Sequence, residues 1–143
     1  MTYHIAAALI LDDEGRTLVV RKRGTIAFMQ AGGKIEPGEE PIEALRRELM
    51  EELKIAWTVE PVFLGHFTAP AAHVENRLVE ADLFHLPWSG DVSPAAELEE
   101  IRWIDPAAPG DLPLAQLTRD HVLPIARRLV APISSEKPDW ARL

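Results

Sequence analysis

Residues 41–54 carry the strongest structural pattern in the chain, because apolar side chains recur there at every third or fourth position. The apolar stripe consists of Ile42, Leu45, Leu49 and Leu53. Pro41 suits the first position of a helix, where its missing N–H leaves no hydrogen bond unmade. The pattern therefore predicts an amphipathic helix that packs by one face against the rest of the fold.

The same helix carries three carboxylates on one face, beside the apolar stripe. Glu48, Glu51 and Glu52 are related by steps of three and four residues. Like charges at these spacings repel by roughly 0.2–0.5 kcal/mol per pair on an exposed helix. One interpretation is a solvated acidic face that Arg46 and Arg47 balance. The other is a cation site, since Mg²⁺ prefers carboxylate and phosphate oxygens. The helix pattern alone leaves both interpretations open.

The rest of the chain predicts strands on both sides of this helix. Apolar runs predict strands at 3–11, 17–21, 57–68, 77–86 and 101–104. The first two strands flank the turn at 12–15 and predict a hairpin. A second helix is predicted at 117–130, where Pro124 should kink or shorten it.

Three further segments are predicted to be irregular. Residues 24–38 are rich in glycine and are predicted to be mostly loop, 105–113 form a Pro/Gly/Ala linker, and 131–143 form a loose tail. The order of strands, helix, strands and helix predicts an α+β chain built as an α/β/α sandwich. The length predicts a single domain over 1–143.

Composition narrows the classes of function. Fifteen Lys and Arg against twenty-three Asp and Glu leave a net charge of −8, which disfavours polymeric nucleic acid as a partner. No cysteine is present, which excludes disulfides, thiolate catalysis and Cys-ligated zinc. The N-terminus has no secretory pattern, and no apolar stretch is long enough to span a membrane. We expect a cytoplasmic protein without a membrane partner.

The residues before the helix favour the cation site. Glu39 follows Gly33 after five residues, and seven more lead to the run RELMEELKI at 47–55. This arrangement resembles the signature of the Nudix hydrolases, Gly-x5-Glu-x7-Arg-Glu-apolar-x-Glu-Glu-x-Gly-apolar. Every specified position matches except one, since Lys54 stands where the family has glycine. Ala31 also replaces a proline that many members have before the double glycine.

The resemblance implies a Nudix-type sandwich, with a mixed β-sheet between helices, and a role for each residue of the signature. The implied metal ligands are Glu51, Glu52 and the carbonyl of Gly32, with Glu48 as either a further ligand or the general base. The implied metal is Mg²⁺, with Mn²⁺ as an alternative. Arg47 is implied to orient the carboxylates together with Glu39, and Gly33 has a structural role.

The activity implied by the resemblance is hydrolysis of a diphosphate linkage in a small nucleotide-like substrate. Metal ions neutralise the diphosphate and acidify a water molecule, a carboxylate takes its proton, and the water attacks phosphorus. The substrate remains open among nucleoside triphosphates, oxidised nucleotides, sugar nucleotides and dinucleoside polyphosphates. The oligomeric state is open as well, although relatives often form homodimers.

Residues outside the signature give weaker indications. Candidates for substrate binding are Arg21, Arg23, Phe28 and Arg77. Each has an ordinary alternative: the first two arginines as surface cations, Phe28 as a core residue, and the polar run 73–77 as a solvated loop. Glu97 is the candidate for a metal ligand from across the cleft, with Glu100 as its competitor and a solvated acidic run as the alternative to both.

Two other functions are compatible with a chain of this kind. One is a module that binds a nucleotide without cleaving it, and the intact carboxylates of the signature argue against it. The other is an isomerase on the same fold, like isopentenyl-diphosphate isomerase, and the absence of cysteine argues against that. Measuring phosphate release from a panel of substrates would separate hydrolysis from binding.

Overall fold

The computed structural model describes residues 2–134. The elements, in chain order, are β1 (Thr2–Leu11), β2 (Thr17–Lys22), β3 (Ala31–Lys34), α1 (Pro41–Leu53), β4 (Val62–Pro70), β5 (Leu78–Pro87), β6 (Leu98–Ile104), a π-helical turn (Thr118–Val122) and α2 (Leu123–Ser134). Within the described part of the chain, no helix is long and apolar enough to cross a membrane.

The strands form one mixed sheet in the order β4-β5-β1-β2-β6, in which β3 also pairs with β1. β1 runs parallel to β5 and antiparallel to β2 and β3, so both of its edges are hydrogen-bonded. The link from β1 to β2 confirms the predicted hairpin. Strand β1 lies at the centre, which explains its continuous apolar sequence.

The two faces of β1 contact two different cores, because neighbouring side chains in a strand point in opposite directions. Ala8 and its even-numbered neighbours pack with Leu45 and Leu49 of α1. Leu9 and its odd-numbered neighbours pack with Val122 and Ala126, where the π-helical turn meets α2. The helices therefore cover opposite faces of the sheet, which confirms the predicted α/β/α sandwich.

The structure corrects three predicted strand assignments. Strand β3 lies inside the segment predicted as loop, because the edge of β1 pairs with its backbone despite the weak strand preference of Ala-Gly-Gly-Lys. The strand predicted from Trp57 begins only at Val62, and the Trp57 ring instead lies 4.6 Å from the Arg46 guanidinium. Strand β6 begins at Leu98, three residues before its predicted start.

The second helix also differs from its prediction. The π-helical turn ends at Val122, two residues before Pro124, whose ring nitrogen carries no hydrogen and so cannot complete a regular turn of hydrogen bonds. Helix α2 then continues to Ser134, so the predicted loose tail is helical at 131–134. The rest of that predicted tail lies outside the described residues.

Candidate active site

The β3 strand and helix α1 meet through two glycines and two carboxylates. The backbone N–H of Gly32 donates to Glu52 Oε1 at 3.0 Å. A Cβ on Gly33 would lie 2.6 and 2.7 Å from the carboxylate oxygens of Glu48, closer than real contacts allow. A Cβ on Gly32 would strike the carbonyl oxygen of Ala6 in β1. Gly32 is therefore required for β3 to pair this closely with β1, and Gly33 leaves the space that the Glu48 carboxylate of α1 occupies.

Arg47 joins Glu39 to Glu48. Its Nε and Nη2 donate to the two carboxylate oxygens of Glu39 at 3.0 and 2.9 Å, and its Nη1 donates to Glu48 Oε1 at 2.8 Å. Its Nη2 also donates to the carbonyl oxygen of Lys34 at 3.0 Å. The hydrogen bonds from Arg47 hold the pKa of Glu39 below its ordinary value. This planar fork fixes Glu48 more rigidly than a lysine would.

The carboxylates of Glu48 and Glu52 are both poorly solvated. Glu52 is 2% exposed, and burial raises its pKa to about 7, although the Gly32 N–H and Lys22 act in the opposite direction. Burial also raises the pKa of Glu48, against the hydrogen bond from Arg47. Glu51 lies at the exposed surface of the helix. The site therefore contains two carboxylates whose burial penalises the charged form, and only that of Glu48 is in contact with a cation, Arg47.

The donor chemistry of these carboxylates fits Mg²⁺, which takes hard oxygen ligands. Among residues 2–134, however, no three His, Asp or Glu side chains converge as a ready-made set of metal ligands. Glu48 is already held by Arg47, and Glu52 by the Gly32 N–H. A cation would have to bind oxygens that these contacts leave free.

Lys22 is the site residue that sequence reasoning missed. Its Nζ lies 3.4 Å from Glu97 Oε1, and its charge lowers the pKa of both Glu48 and Glu52. The charge of Glu97 in turn raises the pKa of Glu52, so the two carboxylates lie close enough to interact. Simple strand alternation could not place it, because the pairing of β2 with β6 is irregular between Arg21 and Lys22, the last residue of the strand.

The two flanking arginines are engaged with other carboxylates. Arg21 Nη2 lies 3.3 Å from Glu100 Oε1, and Arg23 Nε lies 3.4 Å from Glu99 Oε2. Glu100 also accepts a hydrogen bond from Arg102 at 2.8 Å. Both arginines predicted to bind substrate are thus already paired with carboxylates, and Glu100 has different partners from Glu97, which contacts Lys22.

Phe28 is buried rather than available for stacking on a base. Its side chain is 3% exposed, and the guanidinium carbons of Arg21 and Arg102 lie 5.9 and 5.5 Å from its ring centroid. Its backbone bridges to Leu114. The position matches the core-packing alternative for this residue.

A cavity of about 310 Å³ opens beside the double glycine. Its wall includes Tyr3, Lys22, Gln30, Gly33, His73 and Thr118. The Tyr3 ring lies 4.7 Å from Lys34 Nζ and 6.0 Å from the guanidinium carbon of Arg77. Burial lowers the pKa of His73, and the charge of Lys22 adds to the effect. Lys22 and the two glycines therefore lie between the cavity and the carboxylates.

Comparisons with known proteins agree with the signature and the fold. Residues 2–125 match the family model described as the NUDIX domain. The chain is 31% identical over 122 residues to the CTP pyrophosphohydrolase of Escherichia coli K12, covering 76% of this chain and 86% of that protein.

Two further matches extend the comparison. An octanoyltransferase of Myxococcus xanthus is 34% identical over 121 residues, which cover 81% of this chain but 34% of that longer protein. The crystal structure of a MutT protein from Methanosarcina mazei Go1 superimposes with a TM-score of 0.72 at 23% identity, covering 90% of this chain and 94% of that one. This last likeness supports the fold.

Proposed function

The chain belongs to the Nudix hydrolase family, and we propose that it uses Mg²⁺ to hydrolyse a diphosphate linkage in a small nucleotide-like substrate. The observation that carries the proposal is the pair of desolvated carboxylates, Glu48 and Glu52, held beside a cavity by Arg47 and the double glycine. A divalent cation would compensate both charges, and a phosphorylated substrate would supply further oxygens.

Glu48 and Glu52, with exposed Glu51, are the residues that would hold the metal. When bound, Mg²⁺ neutralises the negative charge of the diphosphate and lowers the pKa of a water molecule. Glu48 and Glu52 also have raised pKa values, as a general base working near neutral pH requires. Both roles therefore remain assigned to this pair of side chains together.

Lys22 is proposed to contact the diphosphate. It lies in the wall of the cavity and beside Glu97, so it stands between the organic part of a bound substrate and the carboxylates. Lys34, also in the cavity wall, adds a second positive charge on the same side. Two local cations explain how a chain with a net charge of −8 can accept a polyanion.

The test is hydrolysis of a nucleotide panel with Mg²⁺, with Mn²⁺ and with a chelator. The panel contains CTP, because a similar protein is a CTP pyrophosphohydrolase, together with UTP, ATP, ITP, dGTP, a sugar nucleotide and a dinucleoside polyphosphate. We expect metal-dependent release of pyrophosphate or a nucleotide from at least one member. Binding of nucleotides without turnover under all metal conditions would instead indicate a binding module.

A further inference from the structure

Two residues of the cavity wall each carry a shielded side-chain oxygen that has no hydrogen-bond partner. They are Gln30 Oε1 and Thr118 Oγ1, and both side chains are more than nine-tenths buried, at 7% and 0% exposure. Buried polar atoms in native proteins are nearly always paired, because an unpaired one loses its hydrogen bonds to water without replacement. Of the residues with such an atom, Gln30 and Thr118 are the two that line this cavity, so a bound ligand could supply partners to both once they turn toward it.

The orientation of the Gln30 amide is fixed by the sheet. Its Nε2 donates to the carbonyl oxygen of Ala8 in β1 at 2.8 Å. A carbonyl oxygen requires a donor, so the amide cannot be reversed, and Oε1 must remain the free acceptor. Gln30, a residue of the cavity wall, thus holds an unpaired acceptor that is shielded in the unliganded protein. Thr118, at the start of the π-helical turn, offers a hydroxyl that both donates and accepts.

The remainder of the wall suits a flat heterocycle. Apolar side chains, among them Ile5, Met29 and Leu117, supply most of the cavity surface. No carboxylate belongs to the cavity wall within residues 2–134, so the acceptor of Gln30 does not compete with a stronger one. An apolar wall with a few fixed polar atoms is the usual composition of a small-molecule site.

We propose that Gln30 and Thr118 select substrates whose base carries an amino group beside an unprotonated ring nitrogen, as cytosine and adenine do. The inference rests on the proposed function. The amino group donates to Gln30 Oε1, and the Thr118 hydroxyl donates to the ring nitrogen. Uracil and hypoxanthine present a carbonyl and an N–H in these places, which sets a carbonyl oxygen against Oε1. Small side-chain movements of the wall, which are common on binding, bring the shielded oxygens into contact.

The test compares the ratio of kcat/KM for CTP over UTP, and for ATP over ITP, in wild type, Thr118→Val and Gln30→Met. We expect wild type to prefer at least one amino-bearing member of a pair by roughly tenfold to a hundredfold, as a buried hydrogen-bonding site discriminates. Each variant should lose at least about tenfold of that preference. A wild type without preference would overturn the inference, as would variants that keep it.

The chain offers a matched control in Thr17. It is also 0% exposed with an unpartnered Oγ1, but it lies in β2 and is not part of the cavity wall. Thr17→Val and Thr118→Val should therefore change the melting temperature alike, while only Thr118→Val changes the nucleotide preference. Equal effects of both variants on preference would show that the Thr118 hydroxyl has a purely structural role and overturn its part in selection.

Failure of the proposed function can be distinguished from failure of this inference. The dissociation constants for the same nucleotide pairs are measured in parallel by equilibrium titration with Mg²⁺. If nothing is hydrolysed, hydrolysis is refuted, and the ratio of dissociation constants still decides the selection. Should Gln30→Met fail to fold, Thr118→Val decides alone, since its hydroxyl has no protein partner to lose.

Discussion

The carboxylate region and the cavity wall adjoin each other, yet the polar groups of the first are paired within the protein and two oxygens of the second are not. In the carboxylate region, Arg47 holds Glu39 and Glu48, and the Gly32 N–H holds Glu52. In the cavity wall, the oxygens of Gln30 and Thr118 have no partner. The first region is organised by protein contacts alone. The second obtains its complete set of hydrogen bonds only with a ligand, so it is the place where substrates are distinguished.

The largest effect is expected from Glu52→Gln. The amide keeps an oxygen that can accept from the Gly32 N–H, but it removes the negative charge that a metal requires. Turnover should fall by roughly a hundredfold or more, the scale on which one charge-stabilising group acts. The fold should remain, and the metal-free variant should melt no lower than wild type, because a desolvated charge is removed.

Glu60→Gln is the matched control, since Glu60 is exposed and follows the same helix. It should leave both turnover and melting temperature unchanged. Near wild-type turnover of Glu52→Gln at saturating Mg²⁺ would refute the metal role. It would also remove the contrast between the carboxylate region, as the catalytic part of the site, and the cavity wall, as the part that selects substrates.

The same contrast explains what sequence could predict. Gly33, Glu39 and the carboxylates lie within one short segment, so their fixed spacing was enough to predict the family and its fold. The cavity wall brings together residues as far apart in the chain as Tyr3 and Thr118, and no sequence signature relates Gln30 or Lys22 to them. Tertiary pairing also created β3 from a sequence with weak strand preference. Such residues are identified by packing, which local patterns do not encode.

A smaller effect is expected at the acidic run that faces α1. Glu97 acts on the pKa of Glu52 and contacts Lys22, whereas Glu100 is bound by Arg21 and Arg102. We expect Glu97→Gln to raise the Mg²⁺ concentration needed for half-maximal turnover by roughly tenfold, in the range of supporting residues of metal sites. Glu100→Gln should leave that concentration unchanged. If the turnover of both variants depends on Mg²⁺ concentration as it does in wild type, the metal site consists of the helix carboxylates alone.

Lys54→Gly should change stability without changing chemistry. Lys54 adopts a left-handed conformation, with φ 57° and ψ 35°, at the end of α1. This conformation costs a residue with a Cβ about 1 kcal/mol, so glycine should raise the free energy of unfolding by about that amount. Met50→Gly, at an exposed helical position, should lower it by roughly 0.5–1 kcal/mol.

Turnover is the more informative measurement for Lys54→Gly. The position lies two residues beyond Glu52, yet Glu52 is held by its bond to the Gly32 N–H. Unchanged kcat and KM would show that contacts with β3, rather than the helix end, place the carboxylates. A loss of turnover in the more stable variant would show that the carboxylate region depends on the helix terminus.

The smallest effect is expected at His66, which lies outside both regions. Its Nδ1 is 2.9 Å from Asp82 Oδ1 and its Nε2 is 3.5 Å from Glu80 Oε1, while His4 binds the other oxygen of Glu80. The hydrogen bond to Asp82, and then that to Glu80, raises the pKa of His66. The folded state therefore binds the proton more tightly than the unfolded chain. Its contribution to stability is complete below the ordinary histidine pKa and is lost as pH rises through the folded value. Because His66 is half exposed, the contribution should stay below about 1 kcal/mol.

The check is chemical unfolding of wild type and His66→Gln from pH 5 to pH 9. The difference between their free energies of unfolding isolates the effect of His66 from that of Glu52. The difference should shrink as pH rises, while the nucleotide preference remains equal at every pH. A difference that grows with pH would contradict the sign of the shift, and an altered preference would show that the network reaches the cavity.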